Sequence, residues 1–532
     1  MDSLATKMVT IAWVIAALVL VKLADYLYQA RGLKRAHTTG KFAEPPSVPI
    51  NYFGYFRRNV WTKRQQNKSP DGKGRRQNPS QLDALTAMMN RTGWDTFQWR
   101  FLGSRTIMTR DPRNLQALHS TQFGDFGMGN NRKNNFRFAL GRGIFAADGD
   151  EWRCMRTVMR PYFQTDHVRH PNLEPHIQKL LRRIETGPDG WTPAPVDLQP
   201  LFYTFALDVS CEIFFGLTPQ DQQELSASYS AFSSAFDTVQ RHLSTRTKLG
   251  WAYFLWDGPK FRRAIAETNR FIDEVILRAV RKKSGNQKDQ ETTTPTFLDH
   301  LLASTHSNSP THIRSQLLHL LIASRDTVAT TLCWTLHNLA RHPQVYTSLR
   351  QSILSPPPSS SLQSNTLLHH TLLESLRLNP AIPLNTRTAL THTSLPHGGG
   401  PHGQSSISVR AGDEVLYSVY ALHRDPRIWG NDAGEFRPGR WAELESKKKR
   451  GSRRWEFLPF GGGPRVCLGQ RVGMREMEGV VGAVVGRFGG VEAEGVEERG
   501  AKEVISELSP QPQAMFRTMV LSGRSAHDAR FL

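Results

Sequence analysis

One cysteine near the end of the chain, Cys467, stands in the run Phe460-Gly461-Gly462-Gly463-Pro464-Arg465-Val466-Cys467-Leu468-Gly469. A thiol is a strong metal ligand only as the thiolate, so such a residue needs surroundings that favour negative charge. The three preceding glycines permit a tight turn that aims backbone N–H groups at the sulfur. Gly469 leaves room for a flat group against the following helix. Arg465 is a fixed cation suited to a carboxylate at the rim of that group, and Phe460 is an apolar wall. Taken alone, a cysteine in a glycine-rich turn is equally a buried turn thiol. Five fixed positions in agreement, F-x-x-G-x-R-x-C-x-G, raise it above that.

Three other constellations could join it. Trp152 and Arg156 are four apart, so on a helix they share a face and offer an indole N–H and a guanidinium to one carboxylate. Asp326 and Thr327 interrupt an apolar helical run from Ile313 to Leu339, where a polar pair is expensive unless satisfied or used. The Thr327 hydroxyl can bond back to the Ala323 carbonyl and distort the helix locally, opening a groove. Glu374 and Arg377 form an i,i+3 pair, and Phe436-Arg437-Pro438-Gly439-Arg440-Trp441 supplies a second arginine. W-x-x-x-R and E-x-x-R are each common by chance, and a surface arginine beside a core tryptophan is the default; their company gives them weight.

The cysteine loop together with these motifs resembles the cytochrome P450 family. The resemblance implies a mainly α fold with a small β-sheet region, preceded by an N-terminal membrane-anchor helix. It implies haem b (iron protoporphyrin IX) as cofactor, with Cys467 as axial ligand of the iron, held in a loop that includes Phe460, Gly463, Arg465 and Gly469. Trp152, Arg156 and Arg387 are the implied propionate contacts. Asp326 and Thr327 are the implied proton relay. Glu374, Arg377 and Arg440 form an implied structural network that locks the cysteine loop and is sound only if complete. Phe126, Ile322, Ala323, Ile382 and Leu384 are the implied walls of an apolar substrate pocket. Two departures stand in the oxygen motif A-G-x-D-T-T: Ser324 replaces glycine and Val328 replaces the second threonine.

Finer motifs point within the family. Leu395-Pro396-His397-Gly398-Gly399-Gly400-Pro401-His402-Gly403, Asn385-Thr386-Arg387-Thr388-Ala389, Phe126-Gly127-Met128-Gly129 and Ile144-Phe145-Ala146-Ala147-Asp148-Gly149 resemble the fungal branch that hydroxylates alkanes and fatty acids. The implied reaction is monooxygenation of a lipophilic substrate, using dioxygen and electrons from an NADPH-dependent reductase. Two rivals stand beside the alkyl-chain reading: a tailoring oxidase for a terpenoid or polyketide, and a non-catalytic haem- or lipid-binding scaffold. The histidines at 397 and 402 sit in a glycine-rich stretch that reads as a flexible loop, a poor base for a metal site.

The elements that must position these residues follow from the rest of the chain. The 532 residues are 39% hydrophobic, ample for a core, and carry a net charge of +21. Four cysteines without paired spacing argue against a disulfide framework and for a reducing compartment. Such basicity favours anionic surfaces, and with no nucleic-acid motif the partners expected are acidic headgroups or an acidic protein. Residues 1–30 are expected to be a membrane anchor around the apolar run Met8–Val21, with Arg31, Lys34 and Arg35 outweighing Lys7 and keeping the rest cytosolic, as on the endoplasmic reticulum. Residues 31–50 read as a basic, Pro-rich hinge and 51–532 as the haem-thiolate domain. The basic stretch 57–76 is expected either on headgroups or in solvent, and 123–129 as a mobile loop over the pocket. Lys447, Lys448, Lys449 and Arg450 form a basic patch ahead of the cysteine loop, suited to docking an acidic reductase.

Overall fold

The apolar run around Asp326 becomes the longest helix of the computed structural model, which describes residues 44–47, 81–101, 104–164, 172–186, 196–249, 257–284, 295–304, 309–355, 365–400, 402–446, 453–493 and 519–524. The expected anchor and the patches 57–76 and 447–450 lie outside the described residues. Among those described, no helix is long and apolar enough to cross a membrane.

The described residues fall into two compact units. The first holds Leu85–Gly129 and Leu384–Leu422 and is built on a five-stranded sheet. Its strands are β1 (Thr96–Phe101), β2 (Ser104–Thr109), β3 (Phe126–Gly127), β4 (Leu384–Ala389) and β7 (Glu414–Ser418), in the order β1-β2-β7-β4-β3, with only β2–β7 parallel. A separate hairpin pairs β5 (Thr393–Gly399) with β6 (Ser405–Val409). Leu85, Met88, Met89, Phe97, Met108 and Ala421 close a small core, against which Trp99, Leu384 and Leu416 pack.

Three expectations change here. The part of the expected hinge that is described, 44–47, is fastened to β1: the Gln98 side chain donates to Glu44 (2.6 Å), Pro45 (3.1 Å) and Ser47 (3.1 Å), and its N–H to the Pro46 carbonyl (2.9 Å). The stretch 123–129 is no loose loop. A 3₁₀ turn at Phe123–Asp125 leads into β3, and Asp125 accepts a bond from Thr393 (2.6 Å). Gly129 then turns with φ +73°, where a Cβ would strike the Thr388 hydroxyl at 2.1 Å, so only glycine fits. Most of the histidine- and glycine-rich stretch is likewise strand β5, bulged between Leu395 and Gly399. Glycine content signalled turns correctly but hid the backbone pairing between them.

The second unit, holding Asn130–Pro383 and His423 onward, is helical. Its site-bearing helices are α1 (Gly149–Tyr162), α2 (Leu198–Phe215), α3 (Ser226–Leu249), α4 (Phe297–Ala303), α5 (Pro310–Arg341), α6 (Thr366–Leu378), α7 (Gly439–Ser446) and α8 (Gln470–Arg487). Helix α5 is apolar on nearly every face and correspondingly buried along most of its length. Pro310 at its first turn needs no N–H partner and starts it. Asn365 caps α6 by accepting the Leu368 N–H (3.0 Å). Strands β8 (Phe488–Ala493) and β9 (Met519–Arg524) pair antiparallel after α8.

Candidate active site

The cysteine loop is a chain of local bonds. Gly461 (φ +70°) and Gly463 (φ +62°) take left-handed turns that bring the Cys467 N–H to the Phe460 carbonyl (3.0 Å). Gly469 then starts α8, and its N–H is aimed at the Cys467 sulfur. Burial pushes the thiol upward, while the Gly469 N–H and the Arg156 guanidinium pull it down.

The residues fit a flat, metal-centred group. Cys467 is set deep in protein yet keeps exposed surface, so one side of the sulfur is open. A Cβ built on Gly469 meets nothing within 4 Å. Within buried α5, Ile322, Ala323, Ser324 and Thr327 alone of the stretch 320–330 retain partial exposure. The two helices meet directly, since a Cβ on Gly473 of α8 would stand 3.7 Å from Val328 of α5.

Three of the expected anion-binding groups, Trp152, Arg156 and Arg465, are brought together, with partners the sequence did not foretell. Trp152 lies between two guanidinium groups, Arg465 at 4.4 Å and Arg156 at 5.7 Å from its ring centre. Arg156 donates to the Val466 carbonyl (2.9 Å), tying α1 to the cysteine loop. Arg465, expected to face a cofactor carboxylate, donates to the Ala147 carbonyl (2.8 Å) and to Asp148 (2.9 Å), which also pairs with Lys133 (3.0 Å). Arg387 and Phe126 belong to the sheet unit. Arg387 is buried there, donating to the Thr386 carbonyl (2.8 Å) above the Tyr417 ring, and Phe126 is buried in β3. Nearby His119 is held neutral, its pKa lowered to about 3 by burial and then by Arg387. Leu384 packs on the sheet core, and Ile382, in the helical unit, is 47% exposed.

The back-bond expected of Thr327 is present. Thr327 donates back to the Ala323 carbonyl (2.6 Å), although α5 stays helical throughout. Asp326 is fully buried and its pKa is raised to about 7, by burial first, against the opposing pull of Arg325 and a Gln240 hydrogen bond. Arg325 is shared: its Nη1 stands 3.8 Å from Asp326 and its Nη2 2.6 Å from Asp237 on α3, whose side chain is 41% exposed. Ser324, the departure from glycine, donates to the Leu320 carbonyl (2.9 Å) and meets the Ser210 hydroxyl of α2 at 2.6 Å.

The Glu374 network is complete. Arg377 grips both Glu374 oxygens (2.9 and 2.8 Å) and donates to the His423, Ala433 and Glu435 carbonyls. Arg440 reaches Glu374 (3.3 Å) and Asp432 (2.9 Å). Trp441 Nε1 and the Arg437 N–H complete the carboxylate's shell (3.1 and 3.0 Å). The link to the cysteine loop runs through a residue that sequence reasoning missed. His423 Nδ1–H donates to the Arg377 carbonyl (3.2 Å), and its Nε2 accepts the Leu458 N–H (2.9 Å). Burial, then Arg377, lowers its pKa to about 3, so the ring stays neutral and can accept. The sequence held no signal for this beyond a histidine ahead of the Arg437–Trp441 stretch.

Comparison with known proteins agrees with this geometry. The cytochrome P450 family model matches residues 75–512. Cytochrome P450 monooxygenase g430 of a Fusarium species is 36% identical over 75% of this chain and 73% of its own. Cytochrome P450 52A12 of Debaryomyces hansenii is 36% identical over 74% of this chain and 78% of its own. The crystal structure of the cytochrome P450DA heme domain superposes with a TM-score of 0.65 at 21% identity, covering 86% of this chain and 94% of that one, which speaks to fold alone. A cysteine loop set against a helix that carries a buried acid, a complete Glu–Arg–Arg network and a family match over most of the length lead to one conclusion: the chain belongs to the cytochrome P450 family and is a haem-dependent monooxygenase.

Proposed function

We propose that the substrate is the alkyl chain of an alkane or fatty acid, hydroxylated by an enzyme in which Cys467 would hold the iron of haem b. The observation that carries the assignment of roles is the packing of the Cys467 helix on α5 beside Asp326–Thr327. The choice of substrate rests on the Leu395–Gly403, Asn385–Ala389 and Phe126–Gly129 motifs and their resemblance to the fungal alkane- and fatty-acid-hydroxylating branch.

Haem, when bound, supplies the redox chemistry that activates dioxygen. The chain supplies the rest. Cys467 holds the metal, supported by the Gly469 N–H on its sulfur and by Arg156. Thr327 and Asp326 present a hydroxyl and an acid whose pKa near 7 lets it hold or release a proton at working pH. Ile322 and Ala323 give the substrate an apolar wall that excludes bulk water. The glutamate network fixes the loop. Met8–Val21 tethers the chain to a membrane, with the body on the cytosolic side of the endoplasmic reticulum, and Lys447–Arg450 receive an acidic NADPH-dependent reductase.

Optical titration of the haem-loaded protein with linear alkanes, fatty acids and polycyclic lipophiles tests the reading. A saturable Soret shift graded by chain length, followed by hydroxylated product with reductase and NADPH, is expected. A shift with polycyclic ligands only would transfer the assignment to a tailoring oxidase. Absence of a Soret band from folded, haem-supplied protein would remove Cys467 as ligand.

A further inference from the structure

On helix α1, Glu151, Cys154, Met155 and Val158 follow the i, i+3, i+4, i+7 spacing of one face. It is not the face of Trp152 and Arg156, which serve the cysteine loop. This second face closes, with Leu301 of α4 and the start of α5, around a cavity of about 160 Å³. That is close to the volume, about 150 Å³, at which an apolar protein cavity takes up benzene. The buried floor is Met155 and Met159, whose thioethers favour contact with an aromatic ring. The mouth is exposed at Glu151 and Cys154. The wall is pinned by His300 of α4, which donates to the Val158 carbonyl (2.6 Å).

Gln316 of α5 lines the same cavity and is 1% exposed. Its amide nitrogen lies 3.2 Å from His312 Nε2 and 3.5 Å from the Arg142 carbonyl. A carbonyl can only accept, so the amide nitrogen must face it. His312 Nε2 is then the acceptor of the other N–H, as burial of that ring favours its neutral form. This leaves Gln316 Oε1, fully buried, with no hydrogen-bond partner. A buried acceptor left without a donor costs about 1–3 kcal/mol, so a bound donor would recover stabilisation. Glu151 at the rim is a second acceptor.

We propose that this cavity is a second small-molecule site, distinct from the cysteine loop, that takes a compact aromatic molecule carrying one hydrogen-bond donor. The ring covers Met155 and Met159 and the donor reaches Gln316 Oε1. The proposal is independent of which substrate the monooxygenase oxidises.

Cys154 makes the site readable. Of the four cysteines only Cys154 and Cys467 are exposed, and in the haem-loaded enzyme Cys467 is engaged with the metal. The experiment is alkylation of the haem-loaded full chain by iodoacetamide, with Cys154 followed by peptide mass, in the presence of phenol or of toluene. Phenol is expected to protect Cys154 saturably and to bind roughly fivefold to tenfold tighter than toluene, the discrimination of one net hydrogen bond. Gln316→Leu is expected to erase that preference while leaving Cys154 reactive. Equal protection by both compounds, or protection by neither, would overturn the proposal, and neither result depends on the variant folding. Cys154 that resisted alkylation with no ligand present would overturn it too, because the mouth would be closed.

Discussion

Two buried arginine–carboxylate pairs in the helical unit have opposite construction. Arg377 makes five hydrogen bonds, two to Glu374 and three to backbone carbonyls, and Glu374 also accepts from Arg440, Arg437 and Trp441. Arg325 stands 3.8 Å from Asp326, its Nη1 makes no hydrogen bond, and its Nη2 is committed to half-exposed Asp237. The first pair has every polar group satisfied and is a scaffold. The second leaves the acid poised, with a pKa near 7. A buried pair that is saturated holds geometry, and one that is loosely matched holds a proton.

The sharpest way to break the comparison is to neutralise each acid in turn. Glu374→Gln leaves two buried guanidinium groups without their counter-charge, a loss of about 3–5 kcal/mol, a large share of a typical domain's stability. Little folded, haem-binding protein is expected, as read by the Soret band and by thermal melting. Asp326→Asn should fold and bind haem, yet lose roughly 10²-fold in turnover if the acid moves protons. Its stability should move the other way. The folded pKa of Asp326 lies above the unfolded value of 3.8, so the acid contributes stability below that value and loses it progressively as pH rises through about 7. The variant's melting temperature relative to the parent should therefore rise with pH over that window. An Asp326→Asn protein that fails to fold would remove the contrast between the two pairs.

The scaffold pair was more legible in the sequence than the connections around it. E-x-x-R is an i,i+3 relation on one helix, and the cysteine loop is contiguous, so both report local geometry through spacing. The partners are another matter. Trp441, His423 and the Arg437 N–H meet Glu374 or Arg377 only because distant segments converge, and no spacing encodes that. Ser324 looked like damage to the oxygen motif because its counterpart, Ser210, lies 114 residues away on another helix. Glycine-rich 123–129 and 393–403 read as loops because glycine marks turns; Phe126–Ala389 pairing depends on a strand far along the chain, whereas 393–399 pairs with the strand that follows it directly, Ser405–Val409.

The His423 bridge extends the scaffold and gives it an acid limit. His423, with the equally buried His119 and His319, has a folded pKa lowered to about 3, below the usual 6.5. The unfolded chain then binds protons that the folded one refuses, so stability is full above about 6.5 and falls as pH drops toward 3. Each histidine contributes a slope of about 1.4 kcal/mol per pH unit. Asp326 and Glu476, whose pKa values burial raises to about 7 and about 8, contribute with the opposite sign, so the histidine contribution is read as a difference. In chemical denaturation the parent's stability relative to His423→Leu should fall by this slope as pH drops from about 6.5 to 5, on top of a constant loss in the variant from the weakened Leu458 contact. A parent-to-variant difference that did not change with pH would mean that the His423 ring accepts a proton in the folded state.

The smallest expected effect lies beside the poised pair. The Ser324 and Ser210 hydroxyls have two protons between them for three short contacts: to the Leu320 carbonyl, to the Ala206 carbonyl and to each other. Ser324→Gly restores the family's residue and removes one of these hydroxyls, while Ser210 keeps the Ala206 carbonyl at 2.6 Å as its acceptor. No buried polar group is stranded, so the loss should be only that of a helix-interior glycine, about 0.5–1 kcal/mol. The pH dependence set by Asp326 should be unchanged, because its neighbours Arg325 and Gln240 are untouched. If Ser324→Gly instead shifted that pH dependence, the serine would belong to the proton-holding pair rather than to the packing of α2 on α5, and the division between scaffold and poised acid would have to be drawn one residue earlier.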